Sequence, residues 1–190
     1  MSPLAQLAPA DAEELLHRAR AVRLVCFDVD GTLTDGRLIY DSDGRELKAF
    51  HARDGQGLVL LRDAGFGIEL ITARRSAVAE LRAQELRVGV HTGIKDKLGR
   101  VRELAAGMGL ELPQVAFMGD DYADYAVMGA VGLAVAPADA HPWTAARAHW
   151  RTQMRGGFGA AREFCDLLLE AQGHLPGILS ADVIRAESAS

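Results

Sequence analysis

Cysteine is scarce in this sequence, with only Cys26 and Cys165 among 190 residues. Small secreted proteins without a large core depend on several disulfides, and two cysteines cannot supply such a framework. Cys26 lies in an apolar, strand-like run and Cys165 in a helix-like pattern, so we expect two free, buried thiols. Free thiols persist in reducing compartments, and we therefore predict a cytoplasmic protein.

Long apolar runs and clusters of basic residues are also missing. No stretch approaches the roughly 18 apolar residues that read as a membrane span, so no membrane partner is expected. The formal net charge is −5 and Lys and Arg form no run, which argues against a general nucleic-acid binder. Asp11, Glu13 and Glu14 stand where a secretory signal would be apolar, so none is expected. The 6 histidines show no metal-binding spacing, and a zinc site is not expected.

What the chain does contain is an alternation of apolar runs with helix-like segments. The strand-like runs are short, continuous and bounded by turn residues, and they lie at 22–27, 67–72, 88–92, 115–120 and 131–136. Such runs are typical of strands covered on both faces, and their alternation with helices indicates βαβ units. We predict an α/β fold, a three-layer Rossmann-like sandwich with a mainly parallel sheet, formed by a single domain over residues 1–190.

Residues 37–50, "RLIYDSDGRELKAF", interrupt this alternation. The Asp43-Gly44 pair lies between two short runs of alternating character, and an Asp-Gly pair favours the positive φ angles of a tight hairpin turn. We predict that residues 37–50 form a β-hairpin, here called the flap. A surface hairpin without a functional role is the alternative.

Polar side chains lie at the predicted strand ends. Asp28 and Asp30 follow the first strand, Thr72 ends the second, and Asp120 ends the fourth. Lys97 opens the helix after the third strand. In an open α/β sheet, ligands bind outside the carboxyl ends of the strands, so these groups are expected to face one crevice.

Asp28 and Asp30 would repel each other if both were ionised in a partly desolvated site. Mg²⁺ offsets such repulsion because it takes oxygen ligands, and we predict the side chains of Asp28 and Asp120 and the backbone oxygen of Asp30 as ligands. A carboxylate beside a cation can attack a phosphate. We therefore predict Asp28 as nucleophile and Asp30 as acid and base, with Thr72 and Lys97 holding the phosphate.

Each of these features has an ordinary explanation when taken alone. A single D-x-D-G is compatible with a turn, although "DVDGTLTDGRLI" lacks the third acid and the closing Glu of an EF-hand. Thr72 alone is a β-branched strand residue, and Lys97 alone is a solvated helix charge. "GDDYAD" alone is compatible with an acidic helix cap. The inference comes from all four features in order, each at a strand end.

The segments "FDVDGTLTDG", "ITARRS", "KDKLGR" and "MGDDYADYAVM" resemble the four ordered motifs of the haloacid dehalogenase superfamily of phosphohydrolases. "TDGRLIYDSDGRELKAFHARDGQGL", "VAPADAHP" and "RGGFGAAREFCDLLLEAQG" extend the resemblance, to about Gly173, to its 3-deoxy-D-manno-octulosonate 8-phosphate phosphatase subfamily. The resemblance implies a Mg²⁺-dependent hydrolase of that sugar phosphate, acting through an aspartyl phosphate in lipopolysaccharide biosynthesis. Residues 174–190 are predicted to be a C-terminal tail.

The resemblance also implies roles for individual residues. Asp28 would be the nucleophile and a metal ligand, and Asp30 would be the acid/base and a metal ligand. Thr72 and Lys97 would bind the phosphate. Asp120 would be a further metal ligand, and Asp121 and Asp124 would support the fourth motif. One departure is Ala73, which stands beside the phosphate position where the family usually has glycine. Arg74 and Arg82 are candidates for the phosphate or the sugar carboxylate, and for Arg82 a solvated helix face is an equal alternative.

The chain has no room for a large cap domain between its motifs. The resemblance implies a homotetramer in which a neighbouring subunit helps to cover each active site, and Leu38, Ile39 and Leu47 of the flap would then be interface residues. Two alternatives remain open at this point. One is a phosphatase for another acidic sugar phosphate, such as a sialic-acid-like 9-phosphate, and the other is a catalytically weak metal-binding scaffold.

Overall fold

The computed structural model of the protein describes residues 8–180, and its centre is a six-stranded sheet with helices on both faces. The strands of the sheet are β1 (Leu24–Phe27), β4 (Gly67–Ile71), β5 (Gly89–His91), β6 (Val115–Met118), β7 (Leu133–Ala136) and β8 (Trp150–Arg151). The α-helices are α1 (Pro9–Ala21), α2 (Ala52–Asp63), α3 (Ala77–Leu86), α4 (Lys97–Gly107), α5 (Tyr125–Met128), α6 (Pro142–Ala145) and α7 (Ala160–Ala171). Short 3-10 turns cover Leu112–Gln114 and Tyr122–Asp124, and residues 175–180 are again helical.

The strand order is β5-β4-β1-β6-β7-β8, and every neighbouring pair is parallel. The chain runs outward from β1 to β5 and then crosses back to β6 on the other side of β1. Strand β1 therefore lies at the point where the strand order reverses, which is where open α/β sheets bind ligands. Phe27 is in register with both Leu70 and Met118, so the residues after these strands emerge at the same edge.

Alternating residues of the central strands enter two separate cores. Val25 and Phe27 pack into the core formed with α1, α2, α3 and α7. Leu24 and Cys26 pack into the core on the opposite face, formed with α4, α5 and α6. A strand buried on both faces needs apolar residues at every position, which explains the continuous run "LVCF". The predicted three-layer α/β sandwich with a parallel sheet is confirmed.

Several details differ from the sequence-based expectation. The strands are shorter at their ends than predicted, and β8 was not predicted because two residues give no readable pattern. Both cysteines are free and buried, as expected. Among residues 8–180, no helix has the length and apolar character needed to cross a membrane.

The flap contains two short antiparallel strands, β2 (Ile39–Tyr40) and β3 (Glu46–Leu47). The Asp41 carboxylate accepts hydrogen bonds from the backbone N–H of Asp43 and of Arg45, and Gly44 has a φ of 80°. The hairpin is therefore present, but only Gly44 of the Asp-Gly pair takes a positive φ. Two features fix this turn: the Asp41 carboxylate accepts from backbone N–H groups of the turn, and Gly44 takes the left-handed position.

Candidate active site

Asp28 is the first residue after β1, and the sheet fixes its backbone. Its N–H donates to the carbonyl of Met118 over 2.9 Å, which continues the pairing of β1 with β6 by one residue. The residue is 5% exposed, and its Oδ1 atom lies 2.5 Å from Nζ of Lys97. A carboxylate at a fixed strand end beside a buried cation is suitably placed for a nucleophile.

Lys97 begins α4, in the connection between β5 and β6, and its side chain reaches Asp28. Asp96 caps the helix by accepting from the N–H of Gly99 over 2.8 Å, which orients the first turn. The Lys97 ammonium lies 2.5 Å from both Asp28 and Asp124. Burial would lower the pKa of Lys97, but these two carboxylates outweigh it and raise the pKa above its usual value. The two carboxylates therefore favour the charged form of Lys97 inside the site.

Asp120 and Asp124 complete a cluster of acids with Asp28. One carboxylate oxygen from each of the three lies within 4.8 Å of the others. Asp124 accepts from Lys97 through Oδ1 and from the N–H of Asp120 through Oδ2, so both of its oxygens already have donors. Asp120 accepts from the hydroxyl of Thr32 over 3.3 Å. Asp124 therefore orients the other members, while Asp28 and Asp120 keep oxygens for a cation.

The electrostatics of this cluster also favour a cation. Burial, reinforced by the Asp124 charge, raises the pKa of Asp28 well above its usual range. Burial and the same neighbouring charge raise the pKa of Asp120 to about 7. One ammonium does not balance three desolvated carboxylates, and a divalent cation would supply the missing charge. The donor set, hard carboxylate oxygens at a strand edge, fits Mg²⁺.

The carboxylate of Asp30 lies in a different environment. Its Oδ1 atom forms an ion pair with Nζ of Lys48 from the flap, and its Oδ2 atom accepts from the Thr72 hydroxyl over 3.2 Å. Thr72 is buried directly after β4, and its Oγ1 atom also accepts from the N–H of Arg74 over 3.1 Å. Asp30 thus shares the strand edge with Asp28 but has separate partners, which suits a separate chemical role.

Glu46 connects the flap to the loop after β4. Its carboxylate accepts from the Ser76 hydroxyl over 2.5 Å, from Arg74 over 3.1 Å and from Lys48 over 3.2 Å. Burial would raise the pKa of Glu46, but these hydrogen bonds outweigh it and lower the pKa. Arg74 also donates to the Tyr40 hydroxyl over 2.7 Å. The flap is therefore attached, within a single subunit, to the loop that carries Thr72.

Sequence reasoning missed Lys48 and Glu46, although a signal for them exists. Successive residues of a strand point to opposite faces. Glu46 and Lys48 therefore lie on the same face of the flap as Tyr40, which is the cross-strand partner of Glu46. Ile39 and Leu47 form the exposed pair on the opposite face. A flap with charges on one face and apolar groups on the other indicates that the charged face covers a polar site.

Two further predicted residues lie where a limited role is expected. Ala73 is exposed and does not have a positive φ, so its backbone conformation does not require glycine. Asp121 caps the 3-10 turn that begins at Tyr122, accepting from the N–H of Tyr122 over 2.7 Å. Both are next in sequence to residues of the site, and the predicted place of Ala73 beside the phosphate remains a prediction.

Arg82 is not brought together with the acids. Its guanidinium pairs with Glu85 over 2.6 Å and lies 5.7 Å from the centre of the Phe50 ring. Within residues 8–180 it makes no hydrogen bond or ion pair with Asp28, Asp30, Thr72 or Lys97. Its predicted contact with substrate remains a prediction.

The glycine-rich segment before α7 packs against the turn that follows Asp28. A side chain at Gly156 would collide with the carbonyl of Gly31, and one at Gly157 with the backbone of Thr34. The buried carboxylate of Asp54 on α2 holds this segment by accepting from the N–H of Gly159 and of Arg162 at the start of α7. Gly156 and Gly157 must therefore lack side chains for the segment before α7 to pack against the turn after Asp28.

Comparisons with known proteins identify the family. A scan against protein-family models finds no match. The 3-deoxy-D-manno-octulosonate 8-phosphate phosphatase of Yersinia pestis is 44% identical over 167 residues, which cover 87% of this chain and 89% of that protein.

Solved structures agree. A hypothetical protein from Xanthomonas campestris is 54% identical with a TM-score of 0.91, covering 95% of this chain and 97% of its own. The 3-deoxy-D-manno-octulosonate 8-phosphate phosphatase of Moraxella catarrhalis was solved in complex with magnesium ion, phosphate ion and a KDO molecule. It is 36% identical to this chain with a TM-score of 0.87, and the match covers 89% of this chain and 98% of its own. The chain belongs to the 3-deoxy-D-manno-octulosonate 8-phosphate phosphatase family of the haloacid dehalogenase superfamily.

Proposed function

We propose that this protein is a Mg²⁺-dependent phosphomonoesterase that hydrolyses 3-deoxy-D-manno-octulosonate 8-phosphate to the free sugar acid and phosphate. The observation that carries the proposal is the buried pair of Asp28 and Lys97 beside Asp30 and Thr72, in a chain of this family. The magnesium, phosphate and sugar in the Moraxella catarrhalis complex support the same assignment.

Asp28 and Asp120 would hold Mg²⁺ through their carboxylates, and Asp30 would hold it through its backbone oxygen. The clustering of the three acids Asp28, Asp120 and Asp124 supports this set, and Asp124 is left to orient Asp120 and Lys97. When bound, the cation would offset the repulsion between the Asp28 carboxylate and the phosphate and would withdraw charge from the phosphoryl group.

The side chains of this chain would carry out hydrolysis in two steps. An Asp28 oxygen forms a bond to phosphorus while the bond from phosphorus to the sugar oxygen breaks, and protonated Asp30 gives its proton to that oxygen. A water oxygen then bonds to phosphorus, the bond to Asp28 breaks, and Asp30 takes the proton from the water. Asp28 returns as a carboxylate and Asp30 as an acid.

Lys97 and Thr72 would hold the phosphate oxygens that are not transferred. Lys97 supplies a fixed positive charge, and Thr72 supplies a hydroxyl at the end of β4. Arg74 lies on the flap side of Thr72, where its guanidinium could bind the sugar carboxylate after exchanging a partner such as Tyr40. Arg82 would reach substrate only with a change in its contacts to Glu85 and Phe50.

The assignment is tested by measuring phosphate release from a panel of substrates with Mg²⁺. We expect the highest kcat/KM with 3-deoxy-D-manno-octulosonate 8-phosphate, and loss of activity after chelation. A higher kcat/KM with a sialic-acid-like 9-phosphate would identify that compound as the better substrate and contradict the assignment. Hydrolysis of neither sugar phosphate nor an aryl phosphate would instead favour the metal-binding scaffold.

The proposal extends to assembly and location. We propose a homotetramer whose flaps meet, because Leu38, Ile39 and Leu47 are 52%, 44% and 52% exposed on the flap. Light scattering would test this, and a double Ser substitution at Leu38 and Leu47 should yield a smaller species; an unchanged mass would contradict a flap-mediated interface. The two free thiols support a cytoplasmic location.

We further propose a single domain over residues 1–190 that carries the flap and the C-terminal tail. The one sheet with helices on both faces supports it for residues 8–180. Of the predicted tail, residues 174–180 belong to the described part, and residues 181–190 lie outside it.

A further inference from the structure

Lys48 is an unusual lysine because it belongs to a surface hairpin and yet points inward. Its side chain is 1% exposed, and its ammonium contacts Asp30 and lies 3.2 Å from Glu46. Lysine is almost never buried without a charged partner, because the loss of hydration must be offset. The contacts that offset it here are the proposed acid/base of the reaction and a flap carboxylate.

The two oxygens of Asp30 are held from two directions. Lys48 pairs with Oδ1 from the flap, and Thr72 donates to Oδ2 from the end of β4. A carboxylate held at both oxygens keeps one side-chain rotamer, whereas one held at a single oxygen can turn away. Without Lys48, only Thr72 would orient Asp30, and Thr72 is also the residue proposed to bind phosphate.

Lys48 is itself held in place. Glu46 binds the Lys48 ammonium and also accepts from Ser76, the N-cap of α3. The chain of contacts therefore runs from Asp30 through Lys48 and Glu46 to the start of α3. It anchors the flap in the subunit whose Asp30 it touches, independently of any neighbouring subunit.

We propose that Lys48 is a positioning residue that holds the Asp30 carboxyl group in line with the leaving sugar oxygen, so that the flap is part of the proton-transfer machinery. The inference rests on the proposed phosphatase function. Lys48 exchanges no proton in this scheme. Thr72 leaves Oδ2 of Asp30 when it binds phosphate, and Asp30 then carries a proton on that oxygen. Asp30 gives this proton to the sugar oxygen as the bond from phosphorus to that oxygen breaks, and Lys48, paired with Oδ1, keeps Asp30 within reach.

The dependence on leaving group tests the inference. An alkoxide leaving group needs the proton of Asp30, whereas 4-nitrophenolate leaves without it. Lys48→Met should therefore lower kcat/KM for the sugar phosphate by about 100-fold, within the range of general acid catalysis, but for 4-nitrophenyl phosphate by less than about fivefold. Lys48→Arg should recover at least about tenfold on the sugar phosphate, because it restores a cation to Asp30.

A double-substitution cycle sharpens the result. If Lys48 acts through Asp30, adding Lys48→Met to Asp30→Asn should cost little beyond Asp30→Asn alone, because residues that act as a unit are not additive. A crystal structure of Lys48→Met should show the Asp30 carboxylate in a different rotamer or in more than one rotamer, a readout separate from activity. Arg45→Met is the matched control, since Arg45 is an exposed cation on the same flap.

The outcomes separate the two proposals. Equal losses on both substrates, full additivity with Asp30→Asn, or an unmoved Asp30 in the variant structure would overturn the inference while leaving the phosphatase function in place. Activity of the unaltered protein on neither substrate would overturn the proposed function, and the inference with it.

Discussion

The acids that follow β1 belong to two clusters with different charge balance. The first cluster contains three carboxylates, Asp28, Asp120 and Asp124, and one ammonium, Lys97. The second, on the flap side, contains two carboxylates, Asp30 and Glu46, and two cations, Lys48 and Arg74. The first has a formal excess of two negative charges, and the second is balanced.

This difference supports the separate roles proposed for the neighbouring residues Asp28 and Asp30. A buried excess of negative charge is costly until a cation joins it, so the first cluster is suited to metal and phosphate chemistry. A balanced network needs no further ion, so the second is suited to holding one carboxyl group in place. We therefore expect the cluster to which each carboxylate belongs to determine its chemistry.

The largest expected effect comes from removing the proposed nucleophile in the unbalanced cluster. Asp28→Asn should lower kcat by at least about 10³-fold, because the amide cannot form the aspartyl phosphate. Steady-state phosphate release measures this, with circular dichroism to confirm that the fold is retained. Substantial turnover by a folded Asp28→Asn protein would contradict covalent catalysis.

The next effect comes from removing the single cation of the same cluster. Lys97→Met should lower the free energy of unfolding of the metal-free protein by about 3–5 kcal/mol, because two buried carboxylates lose their partner. Urea denaturation measures this, and the exposed Lys95 provides the control Lys95→Met. If Lys97→Met matches Lys95→Met in stability, the ion pairs of Lys97 contribute nothing.

A smaller effect is expected from pH. The pKa of Asp120 is raised to about 7 and that of Asp28 is raised well above its usual range, so the folded metal-free protein binds more protons than the unfolded chain at mildly acidic pH. The free energy of unfolding should then fall as pH rises from about 5 to about 7, by at most about 1.4 kcal/mol per pH unit for each group.

Thermal unfolding of the metal-free protein across this pH range measures the slope. Asp120→Asn should flatten it, because one of the two titrating carboxylates is gone. Saturating Mg²⁺ should reverse the trend, since it binds the deprotonated carboxylates. A metal-free protein that becomes more stable as pH rises through this window would rule out raised carboxylate pKa values.

The smallest effect is expected at Ala73, the residue after Thr72. Ala73→Gly should change kcat/KM by less than about threefold, because Ala73 is exposed and needs no positive φ. It should lower the free energy of unfolding by about 0.4–1 kcal/mol, because glycine gives the unfolded chain more freedom. A large gain in kcat/KM would show instead that the methyl group obstructs the phosphate.

The unbalanced cluster could be predicted from the sequence much better than the balanced one. Asp28, Lys97 and Asp120 follow regular strands or begin a regular helix, and a parallel sheet brings such positions to one edge. Asp124 was predicted only through the family motif. Strand periodicity alone therefore locates the acids but not every contact among them.

The balanced network depends on the flap, whose two strands have two residues each. Their alternation indicates which residues share a face, but it does not indicate which distant groups that face contacts. Lys48 and Glu46 reach Asp30 and Ser76 through side chains alone, and side-chain contacts between distant segments leave no pattern in a single sequence. The same limit explains Arg82, whose position along α3 did not reveal that it packs on Phe50.

The packing of Gly156 and Gly157 against the turn after Asp28 has a consequence for the order in which the candidate active site forms during synthesis. The turn after Asp28 is translated early, but the backbone that packs against it, and the helix that Asp54 holds, are translated more than a hundred residues later. One edge of strand β1 also remains unpaired until β6 has been translated. Long-range contacts of this kind form late in folding. A ribosome-bound chain that stops short of α7 should therefore contain every predicted catalytic residue and still lack a finished active site.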